Sequence, residues 1–544
     1  MAWLLRWLLF MDTKPGEPTP ALDANDPKFS LERATRVDGS EVSDDSRSAD
    51  RGSSALGLAS SYLKKNYLLV IAISLALIVP CFWHERIEAG DLASHTYNAW
   101  LAHRISEGKA PGLWLARQWN NVLFDYCLSG VANVTGIRAA EKIVVPASVL
   151  LFFWGAFAFI CAVVRRAAWP VMPALAAFAY GWTFEQGFMN YYMSLGLAFF
   201  GMALLVRGRG WERALVLLLA PLAWLAHPLG FLLLASVGGY IVLAERLQAR
   251  LQMILSGGAI AFLAAAHFYL AHHFNVVWNS DSLTSQLMSL NGTDQLLTYG
   301  AQYHLVAIAM LVFLLACVAV DVVMRWRAKE SMGPLSLPLQ LYAVAVIAVL
   351  LLPRVLYLPQ MLGPQVGLLP ERLTSVCAIF ALCVIGALRP QRWHVIGFAA
   401  VAALFFLYLY ADTGVLNRME AQAEKYERLL PPGQRVVATI WPLRGSRVLI
   451  DHFVDRACIE QCYSYGNYEP SSGQFRVRAS PGNGFVIANF PDTDAIESGT
   501  YVVQPQDLPM VQIFQCNVNR VELCMRDLVA GETNGRIGLH PASR

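Results

Sequence analysis

"NYLLVIAISLALIVPCFW", Asn66–Trp83, is apolar over a length that crosses a hydrocarbon core as a helix. "EAGDLASHTYNAWLAHRISEGKAPGLW", Glu88–Trp114, follows almost at once and carries an Asp, two His and a turn of amphipathic helix. The first stretch makes the chain a membrane protein. The second sets the functional question: Asp91 is either a helix cap or a chemical group.

Composition agrees with the first stretch. Of the 544 residues, 56% are hydrophobic and 15% charged, with a mean hydropathy of +0.43. Soluble domains carry about a quarter charged residues, so this is an integral membrane protein. Its net charge of +3 shows no nucleic-acid footprint. Apolar segments of roughly spanning length recur at 143–164, 168–184, 189–206, 213–226, 229–244, 253–272, 303–324, 336–353, 374–388 and 393–410. The expected fold is an all-α polytopic membrane protein of about eleven transmembrane helices. Residues 61–410 form the membrane domain, and a small C-terminal α+β extracytoplasmic domain follows at 411–544.

Charge sets the orientation. Lys64 and Lys65 precede the first span, and alternate loops carry Arg165/Arg166, Arg207/Arg209/Arg213, Arg246/Arg250, Arg325/Arg327/Lys329 and Arg389/Arg392. The intervening connections near 185–188, 227–228 and 273–302 have no Lys or Arg. The positive-inside rule puts the N-terminus in the cytoplasm and the C-terminus outside. A first outer loop then spans 84–142, and a second, "RVLYLPQMLGPQVGLLPER", covers Arg354–Arg372. Residues 1–60 read as a disordered cytoplasmic tail, rich in Ser, Asp and Pro and poor in aromatics. The leading "MAWLLRWLLF" resembles a signal fragment or a misassigned start.

Four of the ten Cys, Cys458, Cys462, Cys516 and Cys524, lie in the far-side C-terminal region. Disulfides are permitted there, and Cys458–Cys462 with Cys516–Cys524 is the simplest pairing. Free thiols, or a metal on Cys458-x-x-x-Cys462, are the alternatives. The chain has no Walker A loop, no GxGxxG and no HExxH. Pro170, Pro173 and Pro221 lie within or near spans and keep a carrier reading open.

Asp91 and His95 are four apart, so they share a face if the helix includes Asp91, and Asn98 is close to the same face. Spacing alone allows an N-cap Asp with a solvated His. An Asp-x-x-x-His after the first span, then a helix, then the G-x-A-P of Gly108–Pro111, resembles the polytopic glycosyltransferases of the GT-C fold. In that superfamily an acidic residue of the first outer loop is the proposed catalytic base, and Asp91 matches its position. Asn120, Asn121 and Asp125 in "QWNNVLFDYCLSG" continue the loop, as such loops do. Paired Asp-x-Asp or Glu-Glu forms are absent.

The resemblance implies a bacterial inner-membrane, cell-envelope enzyme. It would be an inverting hexosyl- or pentosyltransferase moving sugar from a polyprenyl-phosphate carrier to a glycan, lipid or protein acceptor. Asp91 and His95 are the catalytic candidates. No cofactor is required by the chemistry, and a divalent metal is compatible with it. Such a site needs a carboxylate and a cation near the membrane surface. Arg372 and Arg354, at the ends of the second outer loop, are the donor-phosphate candidates, with interfacial snorkelling as the alternative. Glu371 either pairs with a neighbouring Arg or acts chemically. Glu185 and Asn190 in "FEQGFMNYYMSLG", and His227 in "WLAHPLGF", lie at outer turns as further substrate-binding candidates or plain turn residues. A lipid or saccharide carrier and a non-catalytic assembly protein are the rival functions.

Overall fold

The structure, a computed structural model, describes residues 55–279, 282–330, 333, 336–358, 365–450, 452–517 and 521–535. Most of the expected tail lies outside the described residues, as do 359–364 of the second outer loop. The protein is mostly helical, and six helices are long and apolar enough to cross a membrane. These are Ile137–Val164, Met189–Arg207, Ala249–His273, Tyr303–Ala328, Leu369–Ala387 and Arg392–Glu427. Asn66–Cys81, Pro228–Ala244 and Ser336–Leu351 are shorter apolar helices.

Two of the expected spans are not single long helices. The 168–184 segment splits into a 3-10 turn (Trp169–Val171), a helix over Met172–Ala179 and one turn over Trp182–Glu185. Pro170 and Pro173 each sit in the first turn of a piece, where a missing N–H costs nothing. The 213–226 segment holds the end of a short helix, Trp211–Ala214, and the helix Val216–Ala226, with Pro221 inside it.

Met189–Arg207 and Leu369–Ala387 are buried on nearly all sides, whereas Ala249–His273 has no buried residue. The centre is tight because small residues let backbones approach. A Cβ added to Gly155 would lie 2.5 Å from the carbonyl oxygen of Gly196, and one on Gly196 would lie 2.9 Å from the Leu151 and Phe152 backbone.

The molecule has two chemically different ends. At one, Arg165 meets Glu245 at 3.5 Å, Arg166 donates to the carbonyls of Gly386 and Leu388, and Arg389 pairs with Glu330. These are the basic loops of the sequence. At the other end the backbone N–H of Asp91 donates to Gln186 O (2.9 Å), that of Val122 to Leu225 O (3.1 Å), and the Tyr299 hydroxyl to Glu88 O (3.1 Å). The 84–142 loop therefore gathers with the 185–188 turn, the end of Val216–Ala226 and Tyr299.

The C-terminal region is built on a mixed sheet. In chain order the strands are β1 (Leu113–Leu115), β2 (Val276–Val277), β3 (Val355–Tyr357), β4 (Gln365–Gly367), β5 (Gln434–Thr439), β6 (Cys462–Ser464), β7 (Val477–Ala479), β8 (Met510–Gln515) and β9 (Leu523–Asp527). The order β6-β5-β8-β9 has β5 parallel to both neighbours and β8 antiparallel to β9. Disulfides join Cys458 to Cys462, leading into β6, and Cys516 to Cys524, closing the β8–β9 hairpin. The simplest sequence pairing is the one observed.

This region does not stand apart. Successive strand residues face opposite sides: Val436 packs into the large core shared with the membrane helices, and Val437 into a small core with Tyr465, Ile496 and Met510. The helix Arg392–Glu427 runs unbroken across the expected boundary at 410/411. β1 of the first outer loop pairs antiparallel with β7. Arg456, buried in the helix Phe453–Ala457, meets Glu141 at 3.0 Å, Glu420 at 2.5 Å and Glu88 at 3.3 Å.

Replacing Gly196 by Val should destabilise the protein by about 1–3 kcal/mol, the usual scale of overpacking. Gly239→Ala, where no atom lies within 4 Å of an added Cβ, should have little effect. Thermal unfolding of both variants in detergent reads the difference, and equal melting temperatures would contradict the close helix contact.

Candidate functional site

The helix Leu92–Ser106 begins at Asp91, but the Asp91 side chain makes no cap hydrogen bond. Backbone contacts hold the residue instead. The N–H of Gly90 donates to Glu185 O (2.8 Å) and that of Asp91 to Gln186 O (2.9 Å). Gly187 makes this possible: its φ is +82°, and a Cβ there would stand 2.4 Å from Asp91 N. The Asp91 carboxylate is left facing other groups, with Oδ1 3.9 Å from Nε2 of His452. Nδ1 of His452 is 3.3 Å from Asp455 Oδ2.

Asp91 lines a cavity of about 810 Å³. His95, Asn190, His227 and Arg372 line it too, so five sequence candidates share one space. Arg372 stands 4.4 Å over the Phe188 ring and reaches His227 Nε2 from Nη1 at 3.2 Å. His227 Nδ1 accepts from the N–H of Leu229 at 3.2 Å, as the cap of Pro228–Ala244. With Nδ1 accepting, the neutral ring carries its proton on Nε2. Arg372 Nη1 can only donate. Two N–H donors thus face each other with no acceptor between them, and Arg372 Nε is buried with no hydrogen-bond partner. Among the described residues Arg372 has no ion pair. An anion's oxygen would satisfy both donors.

His95 and Asp125 form the second half of the site. Nδ1 of His95 is 2.8 Å from Asp125 Oδ1. The amide of Asn190 donates to Asp125 Oδ2 (2.8 Å) and its carbonyl oxygen accepts from Phe124 N (2.8 Å). Glu469, from the C-terminal region, comes within 3.7 Å of His95. Burial alone would lower the His95 pKa, but the charge and hydrogen bond of Asp125, with Glu469 behind them, raise it to about 9. Burial opposes ionisation of Asp125, yet His95 and Asn190 hold its pKa below the usual range. Burial raises Glu469 to about 8. At neutral pH the set is therefore a charged His95, an ionised Asp125 and a protonated Glu469. A charged His95 cannot accept a proton, and it presents a positive charge to the cavity it lines.

Three candidates lie elsewhere. Glu185 is buried and accepts from the Tyr299 hydroxyl at 2.7 Å, where it braces the turn that holds Asp91. Arg354 and Glu371 pair with each other, Nε to Oε1, at 2.8 Å. None of the three lines the cavity.

His452, Tyr468, Glu469 and Arg478 were not found from the sequence, since they join the site from more than three hundred residues downstream. One signal was present: "GNYEP" sets Asn467, an N-cap, beside Tyr468 and Glu469. The Asn467 amide pairs reciprocally with that of Asn98, at 2.8 and 3.2 Å, which docks the turn on the outer-loop helix.

The chain matches no family model, no curated protein and no solved structure. Among the described residues one trio, Glu427, Cys458 and Cys462, has metal-ligating side chains in mutual reach, and both sulfurs are joined in a disulfide.

The protonation pattern predicts a pH dependence. His95 is raised from 6.5, so its stabilisation is complete below that pH and lost as pH rises through about 9. Glu469 is raised from 4.5, so its contribution is lost between 4.5 and about 8. The melting temperature in detergent should fall by a few degrees from pH 6.5 to 9, and Glu469→Gln should flatten the part below pH 8. A wild-type profile flat over this range would contradict the assigned protonation.

Proposed function

We propose that the protein is an integral membrane glycosyltransferase of the GT-C type. It moves a sugar from a lipid-phosphate carrier to an acceptor hydroxyl on the extracytoplasmic face of a bacterial inner membrane. The observation that carries this reading is the shared cavity. A carboxylate that makes no cap hydrogen bond faces the same space as His227 and Arg372, and the buried Nε of Arg372 has no hydrogen-bond partner. In this reading the eleven apolar segments are passages between the two ends, and the basic end is cytoplasmic.

The chemistry follows from these groups. The acceptor hydroxyl gives its proton to Asp91 as its oxygen attacks the anomeric carbon. The bond from that carbon to the phosphate oxygen breaks, and the phosphate leaves with the electron pair. Arg372 and the Nε2–H of His227 meet the charge that develops on it. His452, with Nδ1 3.3 Å from Asp455 and Nε2 3.9 Å from Asp91, stands beside the carboxylate and steers it by charge when protonated. Leu229 and Leu232 line the cavity beside His227, on the side where a lipid chain enters.

Asp91→Asn should leave expression and melting temperature unchanged and lower transfer roughly 100-fold or more, the scale of a lost general base. Purified protein in nanodiscs with polyprenyl-phosphate sugars and envelope acceptors is the assay. A folded Asp91→Asn protein that transfers at the normal rate would remove Asp91 from the chemistry. Counterflow of labelled substrate without transfer would replace the enzyme with a carrier.

Arg372→Lys keeps the charge but loses the planar fork. Donor affinity should drop by roughly tenfold, the scale of one charge-assisted hydrogen bond. Unchanged donor binding in both Arg372→Lys and Arg372→Ala would show Arg372 to be an interfacial anchor.

A further inference from the structure

The cavity holds a second arginine, on the wall away from the membrane helices. Arg478 lies in β7, opposite Trp114 of β1. Its Nη2 reaches Gln118 Oε1 only at 3.5 Å, and its Nε is buried with no hydrogen-bond partner. Among the described residues Arg478 has no ion pair. Gln118 is held in place by its own amide, which donates to Gln474 O (3.0 Å) and Asn120 Oδ1 (3.2 Å). The cavity wall here, Gln118, Asn120, Ser472 and Gln474, is polar and contains no carboxylate. A positive charge placed on a polar cavity wall without a counter-ion is a receptor for an oxyanion, and guanidinium N–H groups suit a carboxylate or a phosphate.

This is not the Arg372 position repeated. Arg372 and His227 belong to the first turns of apolar helices, beside Leu229 and Leu232. Arg478 belongs to the sheet that joins the outer loop to the C-terminal region, with Phe475 and Gln474 as neighbours in the wall. Asp91, Arg372, Tyr468 and Arg478 line the same cavity, with Tyr468 leading into the Arg478 wall. We propose that Arg478 forms an acceptor subsite, and that the acceptor carries an oxyanion, a carboxylate or a phosphate. Naming the anion as acceptor rests on the transferase reading, but the anion site can be tested without turnover.

The full-length protein in nanodiscs is treated with phenylglyoxal, and modification of each arginine is followed by peptide mass spectrometry. The probes are glucuronate, inorganic phosphate and, as a neutral control, glucose. Glucuronate or phosphate should slow modification of Arg478 at least threefold, glucose should not, and exposed Arg117 should be unaffected. Protection by glucuronate alone points to a carboxylate-bearing saccharide, and by phosphate alone to a phosphorylated acceptor. No protection by either anion, equal slowing at Arg117, or an Arg478 that never reacts would overturn the site. With an active protein, Arg478→Gln should raise the acceptor KM at least tenfold while the donor Kd stays. A change in donor Kd with no change in acceptor KM would overturn the acceptor assignment. If no sugar is transferred under any condition, protection at Arg478 still reports the anion site, so failure of the transferase reading is distinguished from failure of this one.

Discussion

Arg456 fixes how the C-terminal region meets the membrane helices. Its guanidinium is buried among three carboxylates: Glu88 of the first outer loop, Glu141 of Ile137–Val164 and Glu420 of Arg392–Glu427. It also donates to the carbonyl of Ile87 at 2.9 Å. Arg86 adds a second cation, 2.7 Å from Glu424 and 3.5 Å from Glu420. Burial pushes Glu88 well above the ordinary carboxylate range, which lowers the negative charge that two arginines must balance. Removing one partner of such a buried set costs about 3–5 kcal/mol, because the remaining charges have nowhere to go. The network sets one geometry and resists others.

What it sets is the position of His452 and Asp455, which precede Arg456 in the same short segment. His452 stands 3.9 Å from Asp91, and Arg456 is tied to Ile87 and Glu88, close to Asp91 in the chain. From the other side, the 185–187 turn grips the Asp91 backbone, and Glu185 anchors that turn through Tyr299. Asp91 is thus fixed by its backbone while its carboxylate stays accessible. A cap would have used the carboxylate to satisfy the helix N-terminus. The carboxylate faces instead the cavity that Arg372 and His227 also line.

The organisation along the chain was legible early. Apolar runs locate most of the helices, because a span must satisfy every backbone group internally and present apolar side chains. The segment at 168–184 departs because Pro170 and Pro173 start new helical pieces inside an apolar run that hydropathy reads as one. Charge alternation sorted the loops, and the loops do gather at two ends. The boundary at 410/411 marked where hydropathy falls, yet a helix needs no apolar residues to continue once its backbone bonds propagate.

For the site, the sequence by itself offered Asp91 and His95 through helical spacing and a family resemblance, Asp125 through the loop of that resemblance, and Asn190, His227 and Arg372 as polar groups at the ends of apolar runs. The tertiary structure alone decided which of them meet. It turned Glu185 into a brace, paired Arg354 with Glu371, and brought in His452, Glu469 and Arg478 from the C-terminal region. Pairing across hundreds of residues depends on side-chain packing and buried charge balance, which leave no periodicity in the chain. Hydropathy reports the environment of a residue, while its partners are set by the folded geometry.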